Sequence, residues 1–209
     1  MRRVVVLSSL LAVVVGIVTL APTLPAAAVA PPKHSCKVRV HIPRLDVNSR
    51  LKYHVGVADD EAGTRIQDRG ILASPQSRRL GTAAAGERGN FVVTGHRNTA
   101  GGVLRDLPEL RPGDKVTVTV RCTPVAWRMN VDHTYTVTSR ARYVNYFSSD
   151  ERKASQAPVP FRPGKRAKKA FLTLVTCATQ EDHARGDYRF DAQGNPPGRW
   201  VVVAELDGR

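Results

Sequence analysis

The sequence predicts an all-β fold: a closed or partly closed barrel of about eight short strands with one or two short helices. Three observations carry this. Short runs of β-branched and apolar residues recur along the chain, several alternating with polar residues, as strands with one buried face do. Gly- and Pro-containing turns separate them, and extended helical periodicity is sparse. No internal repeat is present, and 209 residues with 42% hydrophobic content suffice for one core plus a leader.

Taken in order, Met1-Arg2-Arg3 is basic, and Val4 to Ala21, about 18 residues, carries no charge. That length just spans a bilayer as a helix. Ala28-Val29-Ala30 resembles a signal-peptidase site, but Pro31 follows it, a poor fit for a protease cleft. A retained signal anchor over residues 1–30 is therefore preferred to a removed signal peptide, with Arg2 and Arg3 inside and the bulk of the chain outside. The expected location is the extracytoplasmic face of the cell membrane, or secreted if the leader is cleaved. Residues 31–36 read as a linker and 37–209 as one folded domain.

Lys37 to Pro43 alternates charged and apolar residues and ends in proline, as an outer strand does. Leu51 to Val57 is a second strand. Asp59 to Arg69 and Ser74 to Arg88 are polar and glycine-containing and read as loops. Phe91 to Thr94 is a short apolar strand stopped by Gly95. Gly101 to Leu110 has room for one helical turn, and Arg111-Pro112-Gly113-Asp114 is a turn. Lys115 to Val120 alternates cleanly. His133 to Thr138 follows and continues as Ala141 to Tyr146. Ser148 to Lys169 is polar. Phe171 to Cys177 is apolar and β-branched almost without a break, so it is buried on both faces. Trp200 to Ala204 is the last strand.

The net charge is +14, from 32 Lys+Arg against 18 Asp+Glu. No aromatic residues interleave these charges in the way that stacks bases, so nucleic acid is not expected. On an exported protein, anionic cell-surface polymers and lipid headgroups suit the charge. The three cysteines are Cys36, Cys122 and Cys177. In an oxidising compartment an odd number leaves one outside any pair. Cys36 and Cys122 lie at polar strand ends and are the more natural pair, although bridging depends on a geometry that sequence does not give.

Cys177 ends a buried strand and so is rigidly held, which suits a nucleophile. A small core hydrophobe is the plainer alternative. His96 follows a strand and Gly95 and projects from another strand end, where an imidazole can exchange protons with a thiol and a leaving amine. Arg199 opens the last strand and carries a fixed charge able to stabilise an oxyanion or hold a substrate backbone, with Arg189 as a rival. The other histidines read as surface residues, and His34-Ser35-Cys36 lacks a second cluster to complete a metal site. No metal or cofactor is expected.

With Thr94-Gly95-His96-Arg97, Thr173-Leu174-Val175-Thr176-Cys177, and Arg199 ahead of Val201-Val202-Val203-Ala204, the chain resembles the sortases. Ile42-Pro43-Arg44-Leu45 and Leu107 to Asp114 add to the likeness, which covers Val38 to Leu206. The wording Thr94-Gly95-His96-Arg97-Asn98-Thr99 is most similar to class E, and the long segment after Cys177 keeps class F open. The resemblance implies an eight-stranded sortase barrel. It implies that Cys177 is the nucleophile, His96 the general acid and base, and Arg199 the stabiliser of oxyanion and substrate. Thr176 and Thr94 are assigned as substrate contacts, with a strand-packing threonine as the alternative for Thr176. The implied reaction is transpeptidation: cleavage of an LPXTG- or LAXTG-like motif in secreted proteins between Thr and Gly, then transfer to a peptidoglycan-precursor amine. A thiol pKa of about 8.5 and an imidazole pKa of about 6.5 allow few molecules to be both thiolate and imidazolium at neutral pH, so slow turnover is expected. A papain-like peptidase places cysteine before histidine, the reverse of the order here. A non-catalytic, basic, wall-binding β-domain is the alternative from another class.

Overall fold

The computed structural model describes residues 35–77, 80–123, 130–179, 182 and 196–208. The expected leader, residues 1–30, lies outside them, as do most of the linker and Arg189.

Among the described residues, nine strands and two short helices follow in order: β1 (Ser35–Ile42), β2 (Val47–Val55), α1 (Glu61–Gln67), β3 (Leu72–Gln76), β4 (Gly89–Thr94), β5 (Lys115–Thr123), β6 (Val131–Val137), β7 (Arg142–Asn145), α2 (Ser149–Gln156), β8 (Ala170–Cys177) and β9 (Gly198–Leu206). Neighbours in the sheet run β6-β5-β1-β2-β3-β4-β8-β9, and a further β6–β9 pairing closes these eight into the expected barrel. The ninth strand, β7, pairs with the first half of β9, and β6 with its second half. β6 and β7 thus act as one interrupted strand, as the continuous reading of residues 133–146 implies. The expected helical turn is the 3-10 turn Leu107–Glu109.

Alternation decides which side chains fill the barrel. Val38, Val40 and Ile42 of β1 point inward with Phe91 and Val93 of β4 and Leu172 and Leu174 of β8, while Arg39 and His41 remain outside. β8 is buried on its outer face too. There Val175 packs with Val92, Val201, Val144 and Tyr146 in a second cluster. The buried polar residues of this outer layer are paired. Thr173 Oγ1 donates to Asn90 Oδ1 at 2.7 Å, and Asn90 Nδ2 donates to the Ser155 and Ala157 carbonyls at the end of α2.

Three local expectations change. β1 begins at Ser35, two residues inside the expected linker, because Cys36 pairs with Cys122 of β5 in a disulfide. The expected loop Asp59 to Arg69 contains α1, and the expected loop Ser74 to Arg88 begins inside β3. Asp60 caps α1 by accepting from the Gly63 N–H at 2.8 Å, while β3 runs parallel to β2 and meets β4 at one register pair, so Pro75 tolerates its missing donor. His54 is no surface histidine: its side chain is 6% exposed and its Nδ1 lies 3.3 Å from an Asp60 carboxylate oxygen.

Candidate active site

β8 is flanked by β4, running parallel, and β9, running antiparallel. The last β4–β8 register pair is Thr94↔Val175, and the Gly95 N–H donates to the Val175 carbonyl at 3.1 Å. His96 comes two residues past Thr94, and Cys177 two residues past Val175. Across the other ladder, Cys177 is the register partner of Arg199. The three positions form a row at one rim of the barrel. Strand parity gives Cys177 and Arg199 one face: Val175 and Val201 of the outer cluster lie two residues from them, so both fall on the sheet's outer side.

Gly95 holds the first member of the row in place. A Cβ there would meet Leu72 Cδ2 at 2.7 Å and Leu104 Cδ1 at 3.0 Å. His96 is anchored on both sides of its Cα. Its carbonyl accepts from the Leu104 N–H at 3.0 Å, and its Nε2 lies 2.8 Å from Asp68 Oδ1 at the C-terminal end of α1.

Arg199 is only 2% exposed. Its Nε donates to Asp59 Oδ2 at 2.8 Å, its Nη1 donates to the carbonyls of Pro196 and Gly198, and its guanidinium lies over the Tyr146 ring at 5.3 Å from the centroid. Burial works against its charge. The Asp59 carboxylate, then Cys177, outweigh it and hold the guanidinium above its ordinary pKa.

Sequence reasoning missed the two aspartates. Asp59 and Asp68 lie just before and just after α1, so one segment partners both basic residues of the row. Asp59 takes a left-handed backbone, φ 66°, to do so. A signal was present: Asp59-Asp60-Glu61 is the acidic start of a helix. Asp182 is a third. Its Oδ2 accepts from the Thr179 N–H at 2.7 Å and pairs with Arg97 Nη1, joining the residue after His96 to the segment after Cys177.

Thr94 and Thr176, assigned to substrate, are buried with their hydroxyls engaged inside the protein. Thr176 Oγ1 donates to the Gly95 carbonyl at 2.8 Å, and Thr94 Oγ1 accepts from Gln67 Nε2 at 3.0 Å. They tie β4 to β8 and to α1. The physical reason is the strand period: Thr176 points to the face opposite Cys177, and α1 covers Thr94.

The sortase domain family matches residues 40–207. Sortase SrtE1 of Streptomyces coelicolor is 28% identical over 142 residues, which are 68% of this chain and 35% of that relative, so the chain spans about a third of its length. A threonine-to-valine mutant of sortase E from Streptomyces avermitilis superposes with a TM-score of 0.54 at 26% identity, covering 82% of this chain and 87% of the other. Sortase E1 of Streptomyces coelicolor, solved with a tripeptide in its active site, superposes with a TM-score of 0.57 at 23% identity, covering 82% and 88%. At that identity the likeness is one of fold.

Proposed function

The chain belongs to the sortase family, and from that premise we propose that it is a cysteine transpeptidase cutting an LPXTG- or LAXTG-like sorting motif between Thr and Gly. The acyl group passes to a cell-wall amine, which anchors secreted proteins to peptidoglycan. Class E is the reading favoured by the Streptomyces relatives.

The observation that carries this is Arg199, paired with Asp59, opposite Cys177 in the β8–β9 ladder, with His96 just past the end of β4, the strand on the other side of β8. In the proposed reaction the Cys177 thiolate attacks the Thr carbonyl carbon. The Arg199 charge, fixed by Asp59, offsets the negative charge that begins on sulfur and develops on the carbonyl oxygen. His96 gives a proton to the departing Gly nitrogen as the C–N bond breaks, leaving a thioester on Cys177. An incoming amine then attacks that carbonyl, loses its proton to His96, and expels Cys177 as thiolate.

The protein works at the outer face of the membrane, held by Val4 to Ala21. The Cys36–Cys122 disulfide supports an oxidising compartment.

The test is to incubate the purified protein with LPXTG, LAXTG and NPXTG peptides plus a glycine-based amine and follow products by mass spectrometry. Ligated product from the wild type, lost in a folded Cys177→Ala variant, is expected. Ligation that persists in Cys177→Ala, or no cleavage of any peptide by the wild type, rejects the reading.

A further inference from the structure

A cleft lies on the β1–β2 side of the sheet order, beyond β4 and on the opposite side of β8 from Arg199. A cavity of about 580 Å³ opens between the outer face of β1 and β2, the residues after α1, and the loop after β4. Four arginines line it, Arg39, Arg50, Arg69 and Arg105, against two aspartates, Asp46 and Asp106. Arg69 follows Asp68, the partner of His96, and Arg105 follows Leu104, whose N–H donates to the His96 carbonyl at 3.0 Å. The cavity is therefore built on the same two segments that position the imidazole.

Its charge arrangement works against stability. Arg39 and Arg50 are direct register partners on β1 and β2, both exposed on the outer face, and like charges opposed across a ladder repel. Arg39 is held there, its Nε donating to Asn48 Oδ1 at 3.1 Å and its Nη2 to the Asn48 carbonyl at 3.2 Å. Among the described residues, Arg50, Arg69 and Arg105 join no ion pair, whereas Arg65, Arg97, Arg121 and Arg199 each have a carboxylate partner. Guanidinium groups left uncompensated around one cavity suit a compact group of two or more negative charges, which phosphate supplies and a single carboxylate does not.

We infer that this cleft binds the phosphate-bearing part of the acceptor, presenting the acceptor's amine to the thioester from the His96 side. The amine's role rests on the transpeptidase reading above; the anion site itself does not. In the transfer step the amine nitrogen bonds to the acyl carbon, the C–S bond breaks, Cys177 leaves as thiolate, and the amine's proton passes to His96. Arg199, on the other side of Cys177, is free of this duty and serves the acyl half.

The test has two arms, both on the full chain and on Arg50→Ala/Arg69→Ala, with Arg69→Ala alone as a second variant. In the first, calorimetry measures binding of inorganic pyrophosphate. The wild type should bind, with affinity falling about tenfold or more in the double variant and with added salt. The double variant should unfold no earlier than wild type, because a repulsive pair is removed. No wild-type binding, or equal binding by the variants, overturns the site. In the second, a sorting-motif peptide is ligated to 2-aminoethyl phosphate or to ethanolamine. The phosphate amine should have the higher kcat/KM, and the double variant should lose that advantage while ethanolamine transfer is unchanged. Equal use of the two amines by the wild type overturns the acceptor role. Arginine-dependent pyrophosphate binding with no peptide cleavage at all would sink the transpeptidase reading and leave the anion site standing.

Discussion

Asp59 accepts a hydrogen bond from Arg199 Nε at 2.8 Å across 140 residues of chain, inside a pocket where the arginine is almost wholly shielded from water. The pair ties the loop ahead of α1 to the strand facing Cys177. Removing the carboxylate leaves a buried charge without compensation, which costs about 3–5 kcal/mol where it has been measured. Asp59→Ala should therefore lower unfolding free energy by about 3 kcal/mol and abolish ligation. Asp59→Asn keeps an oxygen acceptor but not the charge, and should lose less stability than activity. Urea unfolding alongside ligation rates checks both; equal activity in Asp59→Asn and wild type would show that only the hydrogen bond matters.

Asp68 makes the opposite prediction. Its side chain is 58% exposed, so its bond to His96 contributes little to folding, within about 0.5 kcal/mol. What it does is aim the imidazole. Asp68→Ala should fold with wild-type stability while kcat falls and the KM for the peptide is unchanged, and Asp68→Glu should recover part of kcat. An unchanged kcat in Asp68→Ala would remove the residue from the mechanism.

Asp182 sets a pH dependence. Burial pushes its carboxyl up, but the Thr179 amide and hydroxyl and the Arg97 guanidinium outweigh this and hold its pKa below the ordinary value. A carboxyl depressed in the folded state contributes stability that is fully present above its unfolded value, about 3.9, and lost as pH falls through the lower folded one. The stability gap between wild type and Asp182→Asn should therefore be constant from neutral pH down to about pH 5 and close below that. Chemical denaturation at stepped pH measures it, and a gap that widens on acidification would reverse the sign argued here.

The disulfide spans 86 residues and joins β1 to β5, and β2 and β3 separate it from β4 and the row. Closing a loop of that length stabilises by restricting the unfolded chain, typically by about 2–4 kcal/mol. Cys36→Ser/Cys122→Ser should lose stability in that range and keep its ligation rate at low temperature. Mild reductant should do the same to the wild type, since it breaks the bridge while leaving Cys177 as a thiol. Loss of ligation before loss of fold would mean that the bridge shapes the site.

Much of this was legible in the sequence, and the gaps have physical causes. Period-two alternation exposed β1, β5 and β6, and burial on both faces exposed β8, because those signals are local. α1 and α2 are each barely two turns and carry few apolar residues, and Leu72-Ala73-Ser74-Pro75-Gln76 becomes a strand only through β2 beside it. Cys177, His96 and Arg199 stood out because each sits at a strand end. Asp59 and Asp68 did not, since their meaning lies in partners 140 and 28 residues away. Thr176 follows its strand-packing alternative, its hydroxyl donating to the Gly95 carbonyl, because one step along a strand turns a side chain to the face opposite Cys177.

Gly95 offers the last prediction, and it tests whether the position of His96 is set by packing. A methyl group added there lies 2.7 Å from Leu72 Cδ2, closer than real Cβ contacts come, and 3.0 Å from both Leu104 Cδ1 and Cγ, tighter than most such contacts. Leu72 and Leu104 are fully buried, so neither can swing into solvent to make room. The backbone must move instead, and the carbonyl of Gly95 is what Thr176 Oγ1 grips, while the next residue is His96. Overpacking of this kind costs about 1–3 kcal/mol. Gly95→Ala should lose that much stability and a disproportionate share of kcat, because a small displacement of the imidazole misaligns proton transfer. Relieving the closest contact with Leu72→Ala in the same chain should restore part of the ligation rate even though it opens a cavity. If the double variant is no faster than Gly95→Ala, packing at this glycine does not set the catalytic geometry.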